Sequence, residues 1–179
     1  RVVFAVAGSG KTKLIVDSLK VDSKALIITY TKNNTRNLRN RILAKFGLFP
    51  QNVLLLPYFT FLYTFCFRPL LAYKTNAKGL FWESPPQWTN KTKLDSPERY
   101  FTSSNRIYHN RLAKFIEISG MMPEVIARIE KYFDMVLIDE TQDFGGHDFN
   151  FLKNISKCQT NLLMVGDFFQ HTFDTSRDG

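Results

Sequence analysis

RVVFAVAGSGKTKLIVDSL, residues 1–19, opens with an apolar stretch over residues 1–6 and passes through a glycine-rich turn. It continues into a segment whose Leu14, Ile15 and Leu19 fall on one helical face. The alternation then repeats along the chain. ALIIT, residues 25–29, reads as a second strand, and VLLL, residues 53–56, as a third. Between them, residues 31–46 read as a helix with Leu38, Ile42, Leu43 and Phe46 facing inward and Gly47 ending it. Near the C-terminus, MVLI (135–138) and LLMV (162–165) read as two further buried strands, with a helix around residues 147–155 between them. Strands alternating with helices predict βαβ units, and unbroken apolar runs suit parallel strands covered on both faces. The fold class is α/β: a mostly parallel sheet flanked by helices.

The middle of the chain differs. Residues 74–106 contain Pro85, Pro86 and Pro97, many Asn, Ser, Thr and Lys, and few periodic apolar residues. They read as a small, mostly helical or irregular insertion. Ser96-Pro97-Glu98 predicts a short helix, with serine as the cap and proline at the first position. Two more helices are predicted over residues 106–118 and 123–132.

A length of 179 residues suits one domain carrying an inserted subdomain. Apolar residues at 44% are enough to fill a core, which excludes bulk disorder. The net charge of +8 favours polyanions, nucleic acid first, although many basic proteins bind no anion. Cys66 and Cys158 stand far apart without a CxxC, so neither a disulfide framework nor a zinc site is expected, only buried, inert thiols. His109, His147 and His171 lack metal-ligand spacing. The richest apolar stretch, residues 53–71, is interrupted by Pro57, Arg68 and Pro69, so no membrane span is expected. With no signal peptide visible, the expected location is cytoplasmic. The chain starts at Arg1 inside a strand-like run and stops at Gly179 without a terminating element, so both ends read as cut.

The loop between the first strand and the first helix holds the first piece of chemistry. Residues 5–12, AVAGSGKT, end in Gly-Lys-Thr, the tail of the P-loop pattern. Wrapping a triphosphate with backbone N–H groups requires residues that tolerate unusual dihedrals, which Gly8 and Gly10 supply. The helix that follows aims its positive end at the phosphates. Ala7, Gly8, Ser9, Gly10, Lys11, Thr12 and Lys13 are the candidate nucleotide contacts. Lys11 is expected on the β- and γ-phosphates and the Thr12 hydroxyl on Mg2+. Ala5 replaces the first glycine of the pattern.

Two further strand ends carry polar groups. MVLIDETQD, residues 135–143, puts Asp139 and Glu140 at the C-terminal end of a buried strand, the edge where open α/β sheets bind ligands. Asp139 is expected to hold Mg2+ through its water shell, and Glu140 to orient and polarise the attacking water. LLMVGDFFQ, residues 162–170, places Gln170 where a γ-phosphate would be felt.

AGSGKT, DETQD and GDFFQ, in this order and spacing, resemble motifs I, II and III of UvrD/Rep-type superfamily 1 DNA helicases. Residues 28–35, ITYTKNNT, are similar to motif Ia, and Thr60-Phe61 to the start of motif Ib. The resemblance implies a P-loop, RecA-like first motor lobe made of residues 1–73 and 119–179, with residues 74–118 as a reduced 1B subdomain. It implies ATP and Mg2+ as cofactors, single-stranded DNA as the track, and a second RecA-like lobe as the partner that brings arginine fingers. Such fingers supply about 10³–10⁵ in rate in related NTPases, so this segment alone is expected to turn ATP over slowly. Lys11, Glu140 and Gln170 are the implied catalytic residues. Tyr30, Thr31, Lys32, Thr60 and Phe61 are the implied nucleic-acid contacts.

The residues also depart from the family's pattern. Leu62 replaces the usual histidine of motif Ib. After Gln170, Thr175 stands where the family has a base-stacking aromatic, Arg177 is displaced by one, and Phe173 is the nearby ring.

The basic residues Lys32, Arg36 and Arg39 share a helical face away from Leu38 and Ile42. With Tyr30 they outline a phosphate-and-stacking track, which a merely solvated basic face would imitate. Of Phe59, Phe61, Phe65 and Phe67, Phe61 is the candidate for base contact and the others read as core. Stacking does not separate RNA from DNA. The alternative to a translocating helicase is a P-loop switch or assembly module that binds ATP without responding to DNA.

Overall fold

The computed structural model describes residues 2–4 and 10–167. Strand β1 (Val2–Phe4) precedes helix α1 (Lys11–Ser18), then β2 (Ala25–Thr29), α2 (Lys32–Phe46) and β3 (Val53–Pro57). One helical segment follows in three pieces: α3 (Tyr58–Thr60), a π-helical stretch (Phe61–Phe67) and α4 (Arg68–Leu70). After α5 (Ala72–Thr75) come β4 (Leu80–Phe81), α6 (Pro97–Tyr100), β5 (Ile107–Tyr108), α7 (Leu112–Ile118), α8 (Met122–Tyr132), β6 (Met135–Ile138), α9 (Gly146–Ile155) and β7 (Asn161–Gly166). The five long-range strands pair in parallel in the order β1-β7-β6-β2-β3. The α/β class and its parallel sheet therefore stand as the apolar runs predicted.

Strand side chains alternate between faces, and each face has its own core. Leu26, Ile28, Val136 and Ile138 pack with the π-helical stretch, α7, α8 and α9. Ala25, Ile27, Leu137 and Val165 pack with Ile15 and Val16 of α1 and Leu38 and Ile42 of α2. The last turn of α2 also caps α1: the Lys45 ammonium donates to the Val16 carbonyl at 2.8 Å and the Leu19 carbonyl at 3.0 Å. It thereby joins the Leu19 N–H, 3.2 Å away, on the Val16 carbonyl and adds a donor for the Leu19 carbonyl at the helix end. Gly47 ends α2 in the left-handed region (φ 75°), its N–H on the Leu43 carbonyl at 2.8 Å.

The predicted helix over 106–118 is shorter than expected. Ile107 and Tyr108 pair in parallel with β4, residues 109–111 form a single 3-10 turn, and the α-helix starts at Leu112. Both Ile107 and Tyr108 are buried, and the Ile107 N–H bonds the Gly79 carbonyl at 2.9 Å, so tertiary pairing overrides the helical reading. Ser96 does cap α6 by position, but its hydroxyl bonds the Glu98 carboxylate and no backbone N–H. Cys66 is buried as expected, whereas Cys158 is only half-buried. Burial pushes the Cys158 thiol up to about 11, and the Cys66 thiol well above its ordinary value, so neither is a reactive thiolate. Among the described residues no helix is long and apolar enough to cross a membrane.

A buried arginine ties the small β4–β5 unit together. The Arg111 guanidinium is 2% exposed and donates to Thr89 Oγ1 at 2.9 Å, to the Arg99 carbonyl and to Asn90 Oδ1. Arg111→Met is expected to strand these acceptors, at a cost of about 1–3 kcal/mol each where they stay dry. Urea unfolding should show a lower midpoint at an unchanged m-value. Arg111→Lys should not restore it, because an ammonium lacks the planar fork. A midpoint within error of the parent would refute this role.

Candidate nucleotide and nucleic-acid site

The start of α1 and the ends of adjacent strands β7 and β6 bring three polar groups to one edge of the sheet. Lys11 opens α1, whose cap, Gly10, adopts φ 87°, ψ 19°. A Cβ there would find space, with its nearest neighbour 3.9 Å away; the left-handed φ is what demands glycine. Asp167 follows β7 directly, and the Lys11 Nζ lies 3.3 Å from its Oδ2 in an ion pair whose side chains are 10% and 3% exposed. Thr12 is half-buried in the first turn of α1, and Lys13 is exposed.

Asp139 follows β6 and is 3% exposed. Burial first, and the neighbouring Glu140 charge second, push its carboxyl up to about 6, while Lys11 pulls the other way. The next residue, Glu140, sits in the left-handed region at φ 54°, ψ 50°. For a residue with a Cβ this conformation costs on the order of 1–3 kcal/mol and concentrates at functional sites. It breaks the strand direction sharply. The Gln142 amide then holds the Glu140 carboxylate: Nε2 donates to Oε2 at 2.6 Å. The same amide accepts from the Asp167 N–H, through Oε1 at 2.8 Å. A carboxylate only accepts and an N–H only donates, so this amide orientation is forced. Thr141 adds a second link between the strand ends, its hydroxyl donating to the Val165 carbonyl at 3.2 Å.

Donor chemistry at this edge fits a hard divalent cation. Asp139 offers a carboxylate that burial disfavours in its charged form, and Thr12 offers a hydroxyl oxygen; both are oxygen ligands of the kind Mg2+ takes. Four of the expected site residues, Ala7, Gly8, Ser9 and Gln170, lie outside the described residues, as do Ala5, Phe173, Thr175 and Arg177.

Tyr30 stands one residue past β2, half-buried. Its ring meets Phe144 edge-on at 5.1 Å and Phe59 at 6.2 Å. Thr31 caps α2, its hydroxyl accepting from the Asn34 N–H at 3.2 Å. Lys32, Arg36 and Arg39 are all exposed, and the Arg39 guanidinium lies over the Phe49 ring at 4.5 Å. Thr60 is half-buried. Phe61, the ring singled out from its cluster, is fully buried and stacked on Phe65 at 5.6 Å, so it presents no face for a base. Half-buried Phe59 is the ring of that cluster that touches Tyr30.

Residues 89–174 match the UvrD/REP helicase N-terminal domain family. That match supports a UvrD-type superfamily 1 helicase N-terminal region over residues 89–174. No curated protein matches it individually. The match takes in Asp139, Glu140 and the segment through Asp167, whereas Lys11 and Tyr30 precede it and rest on their own geometry. UvrD-like helicases use ATP with Mg2+ and act on nucleic acid.

Three residues of this segment acquire roles that the sequence did not suggest. Gln142 and Asp167 join the strand ends, and Phe144 connects the acidic loop to Tyr30. Gln142 and Asp167 sit inside quoted motifs, but no spacing rule reveals that one amide bridges them.

Proposed function

We propose that this chain is the ATP-binding first motor lobe of a DNA helicase that couples Mg-ATP hydrolysis to movement along single-stranded DNA and to unwinding. The observation that carries the reading is the junction of Lys11, Asp167, Gln142 and Glu140 beside buried Asp139 at the strand ends. Lys11 leaves Asp167 for the denser negative charge of the β- and γ-phosphates, Thr12 and Asp139 hold the metal, and Glu140 activates water. Ala7, Gly8, Ser9, Gly10 and Lys13 complete the phosphate cradle, and Gln170 senses the γ-phosphate. Tyr30, Thr31, Lys32 and Thr60 line the track, with Phe59 in place of the buried Phe61.

We further propose that residues 1–73 and 112–179 form one RecA-like lobe, with the insertion ending near Arg111 and not at 118. The packing of α7 against the π-helical stretch and α9 favours this boundary.

ATP hydrolysis by the full-length protein, with and without single-stranded DNA, tests this function. Stimulation by DNA that disappears in Lys11→Ala is expected. Lys11-dependent hydrolysis that ignores DNA would replace the translocase with a nucleotide switch.

A further inference from the structure

Trp82 lies directly after β4 and is 58% exposed, a large apolar surface left open beside an otherwise packed set of rings. Its indole meets Phe59 edge-on at 5.7 Å. His109 supports it on a second side at 5.1 Å, with the two planes inclined by only 33°. His109 itself is held: its Nδ1 lies 3.2 Å from the Phe81 carbonyl, which can only accept, so Nδ1 carries the proton. It also contacts Phe59 edge-on at 5.1 Å. Burial holds the imidazole below its ordinary pKa, so it stays an uncharged ring at neutral pH.

Phe59 touches Tyr30 as well, so Tyr30 and Trp82 are separated by one ring. The rings form a continuous path from the end of β2 to the β4–β5 unit: Tyr30, Phe59, Trp82, with His109 as a prop. An indole fixed by neighbours on its edge and one side has already lost its rotamer freedom. A flat apolar ligand therefore stacks on it at little further entropic cost.

We propose that Trp82 is a second base-stacking platform, and that a single strand lying on Tyr30 continues across Phe59 to place an unpaired base on the Trp82 indole. This inference rests on the nucleic-acid reading above and extends it to a residue of the insertion. The other exposed indole, Trp88, is its natural control. Trp88 lines a separate groove of about 580 Å³ whose walls include Glu83 and Glu98, and Trp82 is absent from that lining. Carboxylates repel phosphates, so the strand is directed over Trp82 and away from the groove.

The two indoles are the chain's only tryptophans, which makes the test direct. In full-length protein carrying Trp88→Phe, with remaining tryptophans outside this region also replaced by Phe, oligo(dT) at saturation should quench Trp82 emission. Trp82→Ala should weaken oligo(dT) affinity by roughly five- to 150-fold, the effect of losing one stacked base, while Trp88→Ala stays within twofold. The quenching experiment leaves the ring path intact, so it decides the matter even where Trp82→Ala misfolds. If oligo(dT) binds with its usual salt dependence but leaves Trp82 emission unchanged, this inference is wrong and the proposed function survives. If oligo(dT) does not bind the full-length protein at all, the nucleic-acid reading fails and takes the platform with it.

Discussion

Glu140→Gln in the full-length protein is expected to lower DNA-stimulated ATP turnover by about 10²–10⁴-fold, the usual loss when a positioned general base is removed. Affinity for Mg-ATP should stay within a few fold, because the proposed phosphate contacts lie outside the acidic turn. The substitution is conservative in shape. Its effect on the Gln142 contact is also predictable: the amide at 140 keeps an oxygen to accept from Gln142 Nε2, as the carboxylate does at 2.6 Å. What disappears is the capacity to take a proton from water. The left-handed turn at φ 54° should persist, since its geometry is set by the flanking Asp139 and Thr141, both buried. Single-turnover hydrolysis with nucleotide binding measured in parallel separates the two effects. Turnover within fivefold of the parent would remove Glu140 from the chemistry and point to another base.

The sheet was legible because burial on both faces leaves an apolar signature: 25–29 and 135–138 match β2 and β6 residue for residue. The end of α2 at Gly47 was legible because local chemistry decides it. Legibility failed where distant pairing decides. Ile107 and Tyr108 carry a pattern compatible with a helix, but β4, some 25 residues earlier in the chain, draws them into a strand. Phe61 failed for a related reason. The cluster of Phe59, Phe61, Phe65 and Phe67 cannot tell which rings the helical turns bury, and the one named is fully enclosed, as Phe67 is. At the candidate site, the acids and the lysine were visible as types at strand ends. The Gln142 bridge was not, because it joins residues 25 apart in sequence through side-chain geometry alone.

These same contacts connect the two halves of the site. Gln142 ties the acidic turn to β7, and Phe144, four residues past Glu140, rests edge-on against both Tyr30 and Tyr58. Tyr58 is pinned in turn, its hydroxyl donating to Asp148 Oδ1 at 3.0 Å. Under the proposed function, a displacement of the acidic turn on nucleotide binding would have a packed aromatic route to the Tyr30 ring. Closely packed side chains transmit displacement where a solvated loop would absorb it.

Asp139→Asn should abolish Mg-ATP turnover and yet stabilise the nucleotide-free protein at pH 8. The carboxyl is 3% exposed and titrates near 6, against an ordinary value of 3.8, chiefly because burial penalises its charge. Between those two values the folded protein keeps a proton that the unfolded chain has released, so stability falls as pH rises through that window. Below it the penalty is absent, and above pH 6 it is present in full. Two pH units correspond to about 3 kcal/mol before relaxation, so a gain of roughly 1–3 kcal/mol is expected for the neutral amide at pH 8. Asparagine retains an acceptor for the Glu140 N–H, which bonds Asp139 Oδ1 at 3.1 Å. Urea midpoints for parent and variant should therefore diverge at pH 8 and converge near pH 4. Added Mg2+ with nucleotide should narrow the gap by stabilising the parent alone, since the metal offsets the buried charge that the variant lacks. Equal midpoints at pH 8, or a gap that widens toward pH 4, would show that the fold does not hold Asp139 as a strained acid awaiting its metal.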